Sequence, residues 1–377
     1  MDLTLSADEL AFRDEIRAWL RDHHPGPEPD GTEAGFEHRL AWQRTLHDAG
    51  YAGIAWPKEY GGRGATLMEQ TIFNEELVRA RAPAPANVLG LIMGGPVVIT
   101  LGTEDQKRRF LAPILSGAEI WCQGFSEPDS GSDLASVRTR AERADGGWRI
   151  TGQKVWTSFA HRARWCMLLT RTSDDARYHN LTYFVCDMRQ PGVTVRPLRQ
   201  ITGDTEFNEV FFDSVFVGDE NVIGRPGEGW NVALTTLMFE RPGLGVASAL
   251  GIKLALGELA ELIRARGLAN DSAIRRRFGK LVVDAEAIRL NGYRGLSRTQ
   301  RDGVPGPEGS MIKIQWATVN QALTELAVDV LGVDALAIDS VWTHRMLRAR
   351  ANSIEGGTSE IQRNILAERV LALPRLR

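Results

Sequence analysis

The sequence predicts a mainly α fold with a middle β-domain: an N-terminal α-helical domain over 1–120, a small β-barrel or sandwich over 121–228 and a C-terminal helical bundle over 229–377. Three observations carry that prediction. The first 120 residues place apolar side chains at helical spacing, the pattern then changes to short β-rich runs, and from Gly229 the helical period returns and lasts to the end. A chain of 377 residues with 43% apolar and 25% charged side chains also exceeds one ordinary core, so two or three domains are expected.

In the first part, Ser6 and Glu9 form a capping-box pattern ahead of Phe12, Ile16, Trp19 and Leu20, which share one helical face. Pro25-Gly26-Pro27-Glu28-Pro29 ends that helix. Further helices are expected over 36–49, 67–81 and 88–101, with a short one over 106–115 and a loop over 56–64. In the middle part, 148–151, 166–170, 182–186, 193–197 and 209–217 are short, β-rich and bounded by Gly, Asp, Asn or Pro. Within the last of these, 210–212 and 215–217 flank an expected turn at Asp213-Ser214. Strands without intervening helices point to a sandwich or barrel. In the last part, helices are expected over 230–266, 270–301, 310–331, 335–350 and 358–371, with Gly303-Val304-Pro305-Gly306-Pro307 as punctuation; helices of this length suggest a bundle.

Composition excludes several classes. A formal net charge of -3, from 45 basic and 48 acidic side chains, is no concentrated basic face for nucleic acid. Three cysteines without a Cys-x-x-Cys, and seven histidines without ligand spacing, argue against a disulfide framework and against a bound metal. No run of about 18 apolar residues suggests a membrane span. The first residues lack the basic start and apolar core of a secretory leader, so a reducing cytoplasm is the expected setting.

Two stretches carry chemistry. Phe125-Ser126-Glu127-Pro128-Asp129-Ser130-Gly131-Ser132-Asp133 gathers small, hydroxyl and acidic residues into a loop, and Lys154-Val155-Trp156-Thr157-Ser158 sets an aromatic ring beside two hydroxyls. Gly227-Glu228-Gly229-Trp230-Asn231-Val232 fails as a dinucleotide fingerprint, because Val stands where the third Gly should be and no βαβ setting surrounds it. Gly124-Phe125-Ser126-Glu127-Pro128 fails as a nucleophile elbow, because Pro replaces the last Gly. Together the two stretches resemble the flavin-binding half of the acyl-CoA dehydrogenases, a family of flavoproteins with the same α, β, α order. The resemblance covers nearly the whole chain.

The family's Tyr-x-x-Thr-Glu-Pro-x-x-Gly-Ser-Asp loop appears here with Phe125, Ser126, Glu127, Pro128, Gly131, Ser132 and Asp133, so Phe125 and Ser126 would face the isoalloxazine of FAD, and Ser132 would lie beside the flavin pyrophosphate and the CoA arm. The family's Trp-x-Thr/Ser matches Trp156-Thr157-Ser158, so Trp156 would pack on the flavin and Ser158 would donate to flavin N5. Arg-x-x-Phe-Gly matches 275–279, which would bring Arg275 to FAD phosphates. The family's Gln-x-x-Gly-Gly reads Asp329-Val330-Leu331-Gly332-Val333 here, and a carboxylate beside a pyrophosphate is unfavourable.

The catalytic base needs one desolvated carboxylate to take a proton α to a thioester. The family's Tyr-Glu-Gly-Thr-Ser aligns on Gly357-Thr358-Ser359, which places Gly356 at the Glu position and Glu355 one residue early. A branch resembling isovaleryl-CoA and long-chain dehydrogenases keeps its Glu before an Arg on the first long bundle helix. Met238-Phe239-Glu240-Arg241-Pro242 matches that place, so Glu240 is the expected base, with Arg241 among the substrate contacts and Glu355 as the alternative. Pro242 would kink the helix and free a turn of carbonyls. The Gly356 N–H would still hold the thioester oxygen.

The reading implied is FAD-dependent α,β-dehydrogenation of an acyl-CoA, with electrons passed to an electron-transfer flavoprotein and a homotetramer or homodimer as the assembly. The missing Glu and Asp329 leave a hetero-oligomer, or a non-catalytic subunit of one, as the alternative. A flavin oxidase on the same scaffold, a carrier-protein thioester or a bulky acyl group are also open. Gly90, Gly94, Gly95, Gly243, Gly245 and Ala247 mark either room for the acyl group or close helix packing.

Overall fold

A computed structural model describes residues 4–29, 31–239, 244–303, 306–337 and 340–374. In chain order its helices are α1 (Ala7–His23), α2 (Thr32–Asp48), α3 (Leu67–Ala80), α4 (Gly95–Leu101) and α5 (Glu104–Ser116). After the strands come α6 (Gly229–Phe239), α7 (Leu244–Ala265), α8 (Ser272–Asp302), α9 (Glu308–Leu331), α10 (Val341–Ala349) and α11 (Ser359–Arg369). The strands between are β1 (Trp121–Gly124), β2 (Arg140–Ala144), β3 (Gly147–Ser158), β4 (Trp165–Arg171), β5 (Leu181–Asp187), β6 (Val193–Pro197), β7 (Phe207–Gly218) and β8 (Val222–Ile223). No helix among the described residues is long and apolar enough to cross a membrane.

Two compact units emerge, and neither is a continuous stretch of sequence. The helical unit holds α1, α3 and α7–α11. Its core is a shared face of the three longest helices: Ile252, Leu256, Leu259 and Ile263 of α7, Leu281 and Ile288 of α8, and Val319, Leu323, Leu326 and Val330 of α9. These recur at the three- and four-residue spacing of one helical stripe. α1 starts as its sequence predicts: the Ser6 hydroxyl accepts from the Glu9 N–H at 3.3 Å and the Glu9 carboxylate accepts from the Ser6 N–H at 2.7 Å. Such a cap contributes about 1 kcal/mol. Thr66 and Glu69 repeat the device at α3.

The sheet unit holds α2, α4, α5, α6 and every strand. One hydrogen-bonded network runs β6-β7-β3-β2-β4-β5-β8, with β1 added in parallel to β4. Cys122 of β1, Ile150 of β3, Leu168 of β4, Phe184 of β5 and Val210 and Val215 of β7 meet in a single core, so the two halves of the network face each other, as a sandwich or barrel requires. Beneath the other face, α4, α5 and α6 pack Val97, Phe110, Ile114 and Val232 against Trp121, Met167 and Tyr183.

Several elements differ from expectation. The pair 210–212 and 215–217 forms one strand rather than a hairpin: Val215 pairs with Ile150 and Phe212 with Gly152 on the same β3, and Ser214 takes a left-handed φ of 50° in the irregularity between them. The 88–101 helix opens as a wide turn over Gly90–Gly94 before α4. The 335–350 helix starts only at Val341. The expected kink at Pro242 lies outside the described residues.

Candidate functional site

The site builds from a bulge. β3 pairs with β7 in register up to Lys154, where the register shifts before Thr157. Trp156 sits in that shift with φ of 58°. A left-handed conformation is costly for a bulky L-residue, about 1–3 kcal/mol, and persists only where its surroundings enforce it. Its consequence is that the indole, 59% exposed, leaves the core that neighbouring β3 residues fill. One edge rests on Phe207, ring centroids 5.9 Å apart at 85°.

Beside this platform lie hydroxyls. Ser158 ends β3 half-buried, and its side chain makes no hydrogen bond among the described residues. The Thr157 hydroxyl is fully buried and, among the described residues, has no partner. Ser126 is half-buried at the start of the loop that follows β1, and its carbonyl accepts from the Val155 N–H at 2.9 Å. That bond sets the Ser126 backbone beside the segment of β3 that carries Trp156 and Ser158. Phe125 points elsewhere: it is buried and meets Tyr183 edge-on at 5.9 Å. Ser132 stands exposed farther along the loop, whose end is tied down by the Arg177–Asp133 ion pair.

Behind these residues lies a feature that the sequence reading passed over. Lys154 is fully buried, its ammonium 2.8 Å from a Glu127 carboxylate oxygen and 3.0 Å from the Phe125 carbonyl. Burial pushes the Glu127 carboxyl up, but Lys154 and the N–H donors of Arg138 and Thr139 bring it below the usual carboxylate range. Burial lowers the Lys154 ammonium, and Glu127 opposes that shift. The signal that could have found the pair is a Lys beside Val155 and Trp156 in a β-rich run, in a chain with only six lysines.

In the helical unit, Gly356 adopts φ of 62° and Gly357 φ of 86°. Both carbonyls are engaged: Gln362 donates to Gly356 at 3.0 Å and Lys313 to Gly357 at 2.7 Å. The Gly356 N–H has no acceptor among the described residues. Glu355, one residue earlier, is held by both terminal nitrogens of Arg348, at 3.2 and 2.8 Å, and by the Asn352 amide at 2.8 Å. Arg275 is exposed in the first turn of α8, where among the described residues it reaches only the Ala269 carbonyl, at 3.4 Å. Two residues on, Arg277 pairs with Asp329 at 2.7 Å. No described contact links Arg275 with Gly356. Glu240 and Arg241 directly follow α6 and lie outside the described residues.

Of the small residues that left room and packing open, Gly94 and Gly95 are packing, whereas Gly245 and Ala247 line a small cavity with Gly292 and Ile312. A Cβ at Gly95 would fall 1.9 Å from the Trp56 ring, and one at Gly94 2.8 Å from Trp121. Gly243 lies outside the described residues. Among the described residues no group of three His, Cys, Asp or Glu side chains could hold a metal ion.

Comparison with known proteins gives the same frame. Family models described as acyl-CoA dehydrogenase N-terminal, middle and C-terminal domains match 6–118, 122–215 and 227–371. The acyl-CoA dehydrogenase IpdE1 of Mycobacterium tuberculosis is 42% identical over 382 residues, covering 98% of each chain. Among solved structures, one described as the Tcur3481-Tcur3483 steroid ACAD matches all of both chains at a TM-score of 0.89 and 26% identity. The ChsE4-ChsE5 complex from Mycobacterium tuberculosis matches all of both chains at 0.85 and 26%.

Proposed function

This chain belongs to the acyl-CoA dehydrogenase family, oxidoreductases acting on acyl-CoA, and we propose that it desaturates the α,β bond of an acyl thioester with FAD as its cofactor. The observation that carries the proposal is the Trp156 bulge: an exposed indole held at a costly φ, two residues before the half-buried Ser158 and one residue after Val155, whose N–H is bonded to the Ser126 carbonyl. A flat heterocycle with acceptors along its edge fits that set of groups. Bound FAD would supply the two-electron oxidant that accepts hydride from the substrate β carbon.

The protein's own groups then have separate tasks. The Glu240 carboxylate takes the α-proton, which leaves the two electrons of the broken C–H bond to form the alkene. The Gly356 N–H, unpaired among the described residues and on a turn whose carbonyls are engaged, donates to the thioester oxygen and steadies charge that develops there. Ser158 would donate to flavin N5 when FAD is bound, and Arg241 would contribute to holding the substrate. Ser132 serves the pyrophosphate and CoA side. Phe125 serves from behind, as part of the wall that carries Ser126.

Electrons leave for an electron-transfer flavoprotein, in a reducing cytoplasm that suits three buried free thiols. A bulky, polycyclic acyl group is favoured over a straight chain, on the support of the similar steroid-described structure. For the assembly, a hetero-oligomer with a related chain is the second reading. The Arg277–Asp329 ion pair favours it, because it neutralises one of the cations near Arg275 that a partner's cofactor phosphates would need.

The test is anaerobic titration of purified, FAD-loaded protein with a panel of acyl-CoA thioesters, reading the flavin band. Bleaching by some thioester is expected, and a protein that takes up no FAD would overturn the reading. Glu355→Gln is expected to keep most of that bleaching rate and to lower stability by about 1 kcal/mol or less, the usual worth of a part-exposed ion pair. Near-complete loss would move the base to Glu355. Ser158→Ala is expected to slow bleaching per bound flavin about a hundredfold, the scale of one lost transition-state donor, with a smaller change in FAD affinity. An affinity loss alone would remove Ser158 from that role.

A further inference from the structure

The Lys154–Glu127 pair is expensive where it stands. Two charges withdrawn from water recover little more than their desolvation cost, and an apolar pair of similar volume often does as well or better for stability. Its contacts indicate what it achieves instead. Lys154 reaches the Phe125 carbonyl at 3.0 Å and Glu127 at 2.8 Å. Glu127 accepts from the N–H groups of Arg138 at 2.6 Å and Thr139 at 2.9 Å, and it closes a tight turn through mutual 3.0 Å backbone bonds with Ser130. Thr139 in turn donates to the Gln153 carbonyl, 3.3 Å away in β3. One buried pair therefore ties together the segment 125–127, the return segment 138–139 and β3, at the residue where the Trp156 bulge begins.

We propose that Lys154 and Glu127 are positioning residues for the cofactor: without touching it, they fix the separation between Ser126 on one segment and Trp156 and Ser158 on the other. This rests on the flavin reading above. The mechanical argument is that each segment alone is a loop or a bulge, free to shift by the ångström that decides whether two sets of donors and a ring meet one ligand. The pair removes that freedom, because any displacement of the loop pulls a buried ammonium from its carboxylate. It also enforces the left-handed Trp156, since the inward Lys154 side chain cannot turn out without leaving Glu127 unpaired in the core.

The experiment uses the full chain stripped of FAD. FAD dissociation constant, thermal midpoint of the apoprotein, rate of substrate reduction per bound flavin and thioester KM are measured for wild type, Glu127→Gln, Lys154→Met and the milder Glu127→Asp. Glu76→Gln is the control, because Glu76 is as deeply buried and pairs with Arg17 at 2.8 and 3.0 Å within the helical unit. Every substitution is expected to lower the apoprotein midpoint. Only those at Glu127 and Lys154 are expected to weaken FAD, by about tenfold or more, the scale on which groups behind a ligand contact act. They should also slow reduction per bound flavin with little change in thioester KM. Glu127 variants that resemble Glu76→Gln, less stable but unchanged in FAD affinity, would overturn the proposal. Glu127→Asp keeps the charge, so it reports even if the other two do not fold. Wild-type protein that binds no FAD would overturn the flavin reading, and this assignment with it.

Discussion

Glu240→Gln is expected to leave FAD bound and to cut substrate-driven bleaching by about a thousandfold, within the range that a lost general base costs. The amide matches the carboxylate in shape and cannot take a proton, so binding of FAD and thioester should change little while the chemical step fails. Two arguments select this residue. The first is the sequence match of Glu240-Arg241 to the branch of the family whose base lies on the first bundle helix. The second comes from the competitor. Glu355 has both oxygens engaged, by Arg348 and by Asn352, and its neighbour Gly356 carries no side chain at the position where most of the family places its Glu. A carboxylate in a two-pronged contact with a guanidinium is built to stay in place. Measured as single-turnover reduction of flavin, an unchanged rate in Glu240→Gln would return the role to Glu355 and predict collapse in Glu355→Gln.

Much of this was legible locally. Helix starts are set by side chains three residues apart, so Ser6 with Glu9 and Thr66 with Glu69 could be, or could have been, read directly. The hairpin joining β2 to β3 carries an equally local signal at Asp145-Gly146 that the reading missed, Gly146 supplying the left-handed φ of 71°. What could not be read depends on partners distant in sequence. Ser214 looked like a turn because Asp-Ser breaks a strand, yet β3 pairs with both sides and carries the chain through. Helices α1 and α3 are amphipathic on their own, and nothing local says that α3 packs on α7 rather than on the helices adjacent to it in sequence. Glu127 and Lys154 each looked ordinary, and the meaning lies in a pairing across 27 residues. The hydroxyl and aromatic residue types of the candidate site stand in the motifs themselves. The separation of Phe125 from Ser126, one turned to the core and the other half-exposed, was not.

Trp156→Gly is the second large effect expected, and its interest is that stability and function should part. Removing a large aromatic from a core typically costs about 3–5 kcal/mol. Here the indole is 59% exposed, its principal ring contact is the edge of Phe207, and its backbone sits at φ of 58°. Glycine takes that φ without strain, which returns about 1 kcal/mol or more, and the greater freedom of the unfolded glycine chain consumes a similar amount. The thermal midpoint of the apoprotein should therefore stay within a few degrees of wild type, about 1 kcal/mol in either direction. FAD affinity should fall by about ten- to a hundredfold, the worth of one stacked aromatic face. Trp156→Ala separates the terms, because it loses the ring and keeps the strain, so it should be less stable than the glycine variant and equally poor at holding FAD. Apoprotein midpoints by calorimetry and FAD binding by fluorescence quenching measure both quantities on the same samples. A Trp156→Gly protein that binds FAD normally would show that the bulge serves the sheet and not a ligand; one that unfolds would show that the exposed ring carries packing that its surroundings do not reveal.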